Sequence, residues 1–309
     1  MRRVYARLLI ALATTLPFGA SAATLKVGDQ QLQTRGILEA SGQLKDVPYQ
    51  IEWFNFPAAQ PLGEALNAGA IDVGGLGDAP LIFAYSAGAK IRAVSATRST
   101  PVDLAIVVPA DSPIRSAADL KGKRIATTRG SIGHYLAVAT LERANLKLTD
   151  VTWSYMQPVD ARTALASGSV DAWSTWDPYV ALTEANEHAR SIANGVGVSS
   201  GLSFEAATDT AIREKHAELA DFLRRVAAGQ RWALSHPDEV AAIQSRVTGL
   251  PADVLKTVYQ RAQLHPVPID DSLIAEQQRT ADLYLRANVI KARLNVAPSF
   301  DKQFSSAAP

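Results

Sequence analysis

Three short stretches of the chain place a glycine and a polar side chain where an apolar run gives way to a helical pattern: Gly28-Asp29-Gln30-Gln31, Gly77-Asp78-Ala79-Pro80 and Gly130-Ser131-Ile132-Gly133-His134. The start of a helix leaves backbone N–H groups unpaired and carries about half a positive charge, which suits an anion. Glycine before it lets a ligand come close to the backbone. Ser131 adds a hydroxyl and His134, in the first helical turn, a ring N–H, while Gln30 or Gln31 offers amide donors. A fourth stretch, Trp176-Asp177-Pro178-Tyr179, sets an aromatic side chain at a strand end, where it can wall a cleft. Each stretch has a plainer reading. Asp78 and Asp177 are good helix caps ahead of Pro80 and Pro178, and Asp78 beside an anion would repel it, so its expected part is to shape the loop. Trp53, Trp153, Trp173 and Trp232 are expected in the core. The combination of loops, and no single member, is what points to a site.

The elements that must position these residues alternate. Strands are expected at Leu25–Val27, Tyr49–Phe56, Ile71–Gly74 and Ile91–Ala96, with helices between them ending near Ala40, Ala68 and Ala87. A second block repeats the order, with strands at Leu104–Val108, Lys123–Thr128, Thr152–Met156 and Val170–Trp173 and helices at Ile132–Ala144 and Pro158–Ala166. This alternation implies parallel strands joined by helical crossovers, with ligands at the carboxyl ends of the strands. Beyond about Phe204 the apolar spacing turns helical. The expected organisation is a segment 1–22 outside the fold, a first lobe opening at 23–102, a second lobe at 103–203, and completion of the first lobe with C-terminal helices at 204–309. The two chain crossovers are placed near Thr100–Asp103 and Ser200–Phe204.

The segment outside the fold reads as a secretory signal peptide. Arg2, Arg3 and Arg7 precede the apolar stretch Leu8–Leu16, and Ala20-Ser21-Ala22 supplies the small residues of a cleavage site. The apolar stretch is far shorter than the roughly 20 residues of a membrane span, so the expected location is the periplasm. Lys and Arg total 31 against 30 Asp and Glu; without the three leader arginines the balance is 28 to 30, a charge of −2. That argues against a nucleic-acid partner, which needs a clustered basic surface. With 0 cysteines the chain has no disulfide, no thiolate metal site, no cysteine nucleophile and no lipid-bearing cysteine. No Gly-x-Ser-x-Gly elbow or His-Glu-x-x-His zinc motif is present, so no catalytic residue, cofactor or metal is expected.

The chain resembles the aliphatic-sulfonate-binding proteins of ABC transporters. The resemblance lies in Glu52-Trp53 to Phe56-Pro57, Glu64 to Gly69 with Ile71-Asp72, and Gly77-Asp78-Ala79-Pro80, then in Asp119 to Lys123, Arg129-Gly130-Ser131 with His134-Tyr135-Leu136, Asp160-Ala161-Arg162, and Gly168 to Trp173 through Trp176-Asp177-Pro178-Tyr179. It implies an α/β, two-lobed periplasmic-binding-protein fold of the two-crossover kind (type II). It also implies a monomer that carries a small anionic ligand to a permease in the inner membrane. The residues it brings to the site are Gln30, Gly77, Asp78, Gly130, Ser131 and His134, faced by Trp176 and Asp177. Gln31 stands where sulfonate binders often carry lysine, and Arg98 or Arg129 could compensate that missing charge. Relatives of the same fold bind taurine, nitrate or thiamine-precursor pyrimidines. Others are desulfinases that depend on a cysteine, and a receptor-docking sensor would look the same in sequence.

Overall fold

The computed structural model describes residues 23–307, so the segment read as a signal peptide lies outside the described residues. Among these, no helix is long and apolar enough to cross a membrane. The first run of the chain gives β1 (Thr24–Gln30), α1 (Gln33–Ala40), β2 (Gln50–Phe56), α2 (Ala59–Asn67), β3 (Val73–Gly77), α3 (Asp78–Ser86) and β4 (Ile91–Arg98). The second gives β5 (Leu104–Val108), β6 (Arg124–Thr127), α4 (Ile132–Arg143), β7 (Thr152–Tyr155), α5 (Pro158–Ala166), β8 (Ala172–Trp176), α6 (Tyr179–Glu187) and β9 (Arg190–Asn194). The third gives β10 (Leu202–Thr208), α7 (Asp209–Glu214), α8 (His216–Ser235), α9 (Pro237–Thr248), α10 (Ala252–Ala262), β11 (His265–Val267) and α11 (Asp271–Arg286).

These strands form two sheets, ordered β11-β4-β10-β3-β1-β2 and β7-β6-β8-β5-β9. Both are mixed, which corrects the expectation of parallel strands throughout. β1 runs parallel to β2 and β3, and β6 parallel to β7 and β8. β10, however, lies antiparallel between β3 and β4, and β5 is antiparallel to β8 and β9. The reason is topological: a strand that returns from the other sheet comes back in the opposite direction. β10 also hides from pattern reading, because Leu-Ser-Phe-Glu-Ala-Ala-Thr is covered on both faces and does not alternate.

Helices cover both faces of the first sheet. Leu62, Leu66, Ile71, Leu81 and Tyr284 are buried on one side, and Leu25, Leu38, Phe222 and Val226 on the other, where α8 lies. The second sheet buries Leu104, Ile106, Leu136 and Leu141 against α4, and Trp173, Val180 and Leu165 on its opposite face. Each such fully buried aliphatic side chain stabilises the fold by roughly 1.5–3 kcal/mol.

The chain passes between the sheets twice, at residues 99–103 and 195–201, and the two passages are bonded to one another. Ser99 N–H donates to the Gly201 carbonyl at 2.8 Å, and Gly195 N–H to the Pro101 carbonyl at 3.0 Å. Gly201 has φ +69°, and a Cβ there would stand 2.2 Å from the Ser99 oxygen, so this junction requires glycine. The second passage thus begins before the expected Ser200–Phe204 and overlaps it only at Ser200 and Gly201, since Leu202 is already in β10. The C-terminal helices also reach the second sheet's side: Val254 and Val258 of α10 pack on Ala181 and Leu182 of α6.

Candidate binding site

A cavity of about 190 Å³ opens between the sheets. Its walls come from the ends of β1 (Gln30), β3 (Gly77) and β8 (Trp176), from Ser131 after β6, from the passages (Ser99, Asp103, Ser199) and from α10 (Tyr259). Carboxyl ends of strands collect there because both sheets point them at the gap.

At the end of β1 the backbone turns through the left-handed region at Gln31 and Leu32, with φ of 54° and 57°. Buried Asp29 fixes this turn by accepting the Thr34 and Arg35 N–H groups at 3.1 and 2.8 Å, and burial raises its pKa to about 6. Gln30 Nε2 donates to the Gly75 carbonyl at 2.8 Å, which holds its amide at the cavity wall. Gln31 Nε2 crosses the gap and donates to the Tyr179 hydroxyl of α6 at 2.8 Å, and that hydroxyl donates to the Pro57 carbonyl at 3.3 Å. Gln31 therefore sits on the cavity rim as a strap between the two sheets' sides.

Gly77 and Ile132 bring two helix starts together. A Cβ on Gly77 would lie 2.7 Å from Ile132 Cγ2, so α3 and α4, from different sheets, meet N-terminus to N-terminus. Asp78 is buried and acts within its own loop. Its Oδ1 accepts Ala79 N–H at 2.6 Å and its Oδ2 accepts the Ser200 hydroxyl at 2.7 Å, while Gln277 Nε2 donates to its carbonyl at 2.8 Å. Burial raises the Asp78 pKa to about 6 against the pull of these donors. Ser131 caps α4: its Oγ accepts His134 N–H at 3.1 Å, so the hydroxyl proton stays available to the cavity it lines.

His134 is turned the other way. It is buried, edge-on to Trp153 and Tyr155 with ring centroids 5.3 Å away in each case, and is also close to Tyr284. Its Nδ1 accepts Gly130 N–H at 3.2 Å, and Nε2 lies 3.3 Å from the Tyr155 hydroxyl. Burial first, then the nearby Arg129 charge, lower its pKa to about 4, so the ring is neutral at pH 7. Gly130 lies behind the cavity, with φ +75° and Phe83 against the place a Cβ would occupy, beside a separate groove that Arg129 also lines. The Arg129 guanidinium stands over Tyr155 at 5.5 Å. Arg98 pairs with Glu276 at 3.0 Å and donates to the Ser200 carbonyl at 2.8 Å.

The structure thus gathers Gln30, Gln31, Gly77, Asp78, Ser131, Trp176 and Asp177 around one cavity and sets Arg98, Gly130 and His134 apart from it. Asp177 caps α6, its Oδ1 accepting Ala181 N–H at 3.0 Å. Its other oxygen is buried without a hydrogen bond, 3.4 Å from Arg261 Nε, and burial raises its pKa to about 6 while Arg261 lowers it. Asp103, whose carbonyl accepts Asp177 N–H at 2.8 Å, rises to about 7 through burial and then through the Asp177 charge. Sequence reasoning missed Ser99, Asp103, Ser199 and Tyr259 as cavity residues. The hydroxyl-rich run Ser199-Ser200 at a passage was a usable signal; Tyr259, on a distant helix, had none. Among the described residues lining the cavity there is no Lys, Arg or His, and no cluster of metal-ligating side chains occurs in the described residues.

The family described as NMT1/THI5 like matches residues 57–240. The alkanesulfonate-binding protein SsuA from Xanthomonas axonopodis pv. citri, solved bound to MOPS, is 32% identical with a TM-score of 0.85, over 92% of this chain and 99% of that one. The periplasmic aliphatic sulphonate binding protein SsuA from Escherichia coli is 32% identical with a TM-score of 0.81, over 91% and 92%. The taurine-binding periplasmic protein of Escherichia coli (strain K12) is 26% identical over 286 residues, 89% of this chain and 86% of the relative. With a fold and a sequence shared over nearly the whole described length, the chain belongs to the NMT1/THI5-like family and, within it, with the alkanesulfonate-binding proteins.

Proposed function

We propose that the protein is the monomeric periplasmic solute-binding component of an ABC importer, and that it captures a small organic sulfonate between its two sheets and delivers it to the permease. The observation that carries this reading is the meeting of two helix N-termini, one from each side, at a cavity walled by Ser131, Gln30 and an aromatic side chain. A sulfonate is ionised across physiological pH and has three acceptor oxygens, so helix N–H groups, a hydroxyl and an amide satisfy it without a proton-bearing partner. The α3 and α4 starts supply the N–H groups, the Ser131 hydroxyl donates, and Trp176 covers the tail. Binding that bridges the two helix starts favours the closed arrangement, which is the form a permease can read. Relatives named for alkanesulfonates and taurine support the ligand class.

The test is a thermal-shift screen of the chain from Ala23 with alkanesulfonates of several lengths, aromatic sulfonates, taurine, sulfate, nitrate and a thiamine-precursor pyrimidine. Ligand at 100 times its Kd stabilises by about 2.7 kcal/mol, a rise of several degrees in Tm. A shift with sulfonates alone, the ligand being recovered unchanged, is the expected result. A shift only with nitrate or the pyrimidine overturns the substrate while keeping the fold.

A further inference from the structure

Another cavity, of about 420 Å³, lies beside the second passage and shares only Ser199 with the ligand cavity. Its walls are α4 from the second sheet's half, α11 from the first's, and residues 197–200 between them. The charge it carries is opposite to that of the ligand cavity, which three aspartates line. Here Arg143 of α4 and Arg279 and Arg286 of α11 stand with Glu142 and Glu276. Both glutamates are already paired. Arg98 holds Glu276 through two bonds of 3.0 and 3.1 Å, and Arg286 holds Glu142 at 3.3 Å. Arg143 donates to the Gly197 carbonyl, a neutral acceptor, and Arg279 is in no hydrogen bond or ion pair with any described residue. Two guanidiniums, one from each half, are thus left without a counter-charge at one hollow. A concave surface lined by one sign of charge gathers ions of the other.

We propose that this cavity is a second anion site, taking a small dianion with several acceptor oxygens, and that its occupant ties α4 to α11 across the passage. Two uncompensated cations match two negative charges. Each guanidinium presents a planar fork of N–H donors that fits a pair of phosphate or carboxylate oxygens. Phosphate and a short dicarboxylate share that chemistry. The start of α4 borders the ligand cavity through Ser131 and Ile132. An anion that holds α4 against α11 therefore also holds this helix start for the ligand, and such coupling is reciprocal.

The experiment is calorimetric titration of the folded protein with inorganic phosphate and with succinate, above neutral pH where both are dianions. Low ionic strength is used because salt screens exposed charges, and each titration is run with and without saturating butanesulfonate. The expected result is that one probe binds whether or not butanesulfonate is present, and the tighter probe identifies the source as an oxyanion or a carboxylate. Arg279→Gln and Arg143→Gln should each weaken it about fivefold or more. Arg279 has no bond to lose, so its variant keeps the fold. Arg213→Gln makes the same charge change on α7, outside the cavity lining, and should keep the affinity. The probe should in turn tighten butanesulfonate binding by about fivefold. Binding of neither probe, or an equal loss in Arg213→Gln, overturns the site. Competition between probe and butanesulfonate overturns it as well, by putting the dianion in the ligand cavity. Probe binding that leaves butanesulfonate affinity unchanged overturns the tie. If butanesulfonate fails to bind while the Arg279→Gln loss persists, the sulfonate reading falls and the second site stands.

Discussion

Two glycine-led loops open helices on opposite sides of the cavity, and they treat their polar residues differently. In Gly77-Asp78 the carboxylate stays in its own loop, held by Ala79 N–H and the Ser200 hydroxyl, and both residues line the cavity. In Gly130-Ser131 only the serine lines it, while Gly130 and His134 are bonded to each other behind the cavity. The cause is the burial of α4: its residues from Gly133 to Leu141 are all buried, so a side chain three positions beyond the cap must pack into protein. His134 meets Trp153, Tyr155 and Tyr284 there. A helix start identified in sequence therefore locates backbone donors well and side-chain donors poorly.

The sharpest way to break the comparison is to displace one loop. A Cβ at Gly133 would sit 2.5 Å from the Ser174 carbonyl oxygen, a backbone atom that cannot turn aside. Gly133→Val is expected to destabilise by about 3 kcal/mol or more, lowering Tm by roughly 5–10 °C and abolishing binding. A calorimetric melt within 2 °C of wild type would show that α4 is not clamped to β8. Next in size is the contrast between Ser131→Ala and His134→Phe. The first removes a donor to a charged head group, about a tenfold loss of affinity. The second is expected to leave affinity within about twofold, because the ring it replaces faces the aromatic cluster. Titration calorimetry that gave the reverse order would put His134 in the cavity.

The two walls should also titrate with opposite signs. Asp78 has a folded pKa near 6, above its unfolded value of 3.8. Its contribution is fully present below that value and is lost as pH rises through about 6. His134 has a folded pKa near 4, below its unfolded 6.5. Its contribution is present above 6.5 and lost as pH falls toward 4. Relative to wild type, Asp78→Asn should melt progressively better as pH rises from 5 to 7, and His134→Phe progressively better as it falls over that range. Each effect is at most about 3 kcal/mol. Parallel slopes in Tm against pH would remove this difference between the walls. The smallest effect is expected at Arg98, whose half-exposed pair with Glu276 is worth less than about 1 kcal/mol. Arg98→Gln should leave ligand affinity unchanged; a tenfold loss would bring that charge into the site.

The fold was legible where elements are local. Pro158–Ala166 ends where its proline start and small-residue close say it should, and Gln33–Ala40 and Ala252–Ala262 follow their apolar spacing. What escaped was non-local. β10 takes its strand character from the two neighbours it joins, and the mixed strand directions depend on where the chain re-enters a sheet. The site divides in the same way. Gln30, Gly77, Ser131 and Trp176 lie at strand ends and were within reach, whereas Asp103 and Tyr259 reach the cavity only through the passages and α10. The missing lysine at position 31 is likewise explained in space: Gln31 holds Tyr179, a task in which its amide donates to a neutral hydroxyl.

The paired passages have an architectural consequence. The second sheet leaves the first at Ser99 and rejoins it at Gly201, two residues joined by a hydrogen bond of 2.8 Å. Everything from β5 to β9 is therefore an insertion whose ends are neighbours, while both described termini belong to the other half. A segment spliced in at adjacent points can be exchanged for a homologous cassette by two junctions, without rethreading the host sheet. One half of the cleft, with its own helix start and its own acidic cap, is thus a unit whose exchange leaves the strand pairing of the host sheet intact and replaces only the contacts that cross the gap, such as Gln31 with Tyr179. Selectivity in such a molecule can be assembled by recombination of halves as well as by point changes.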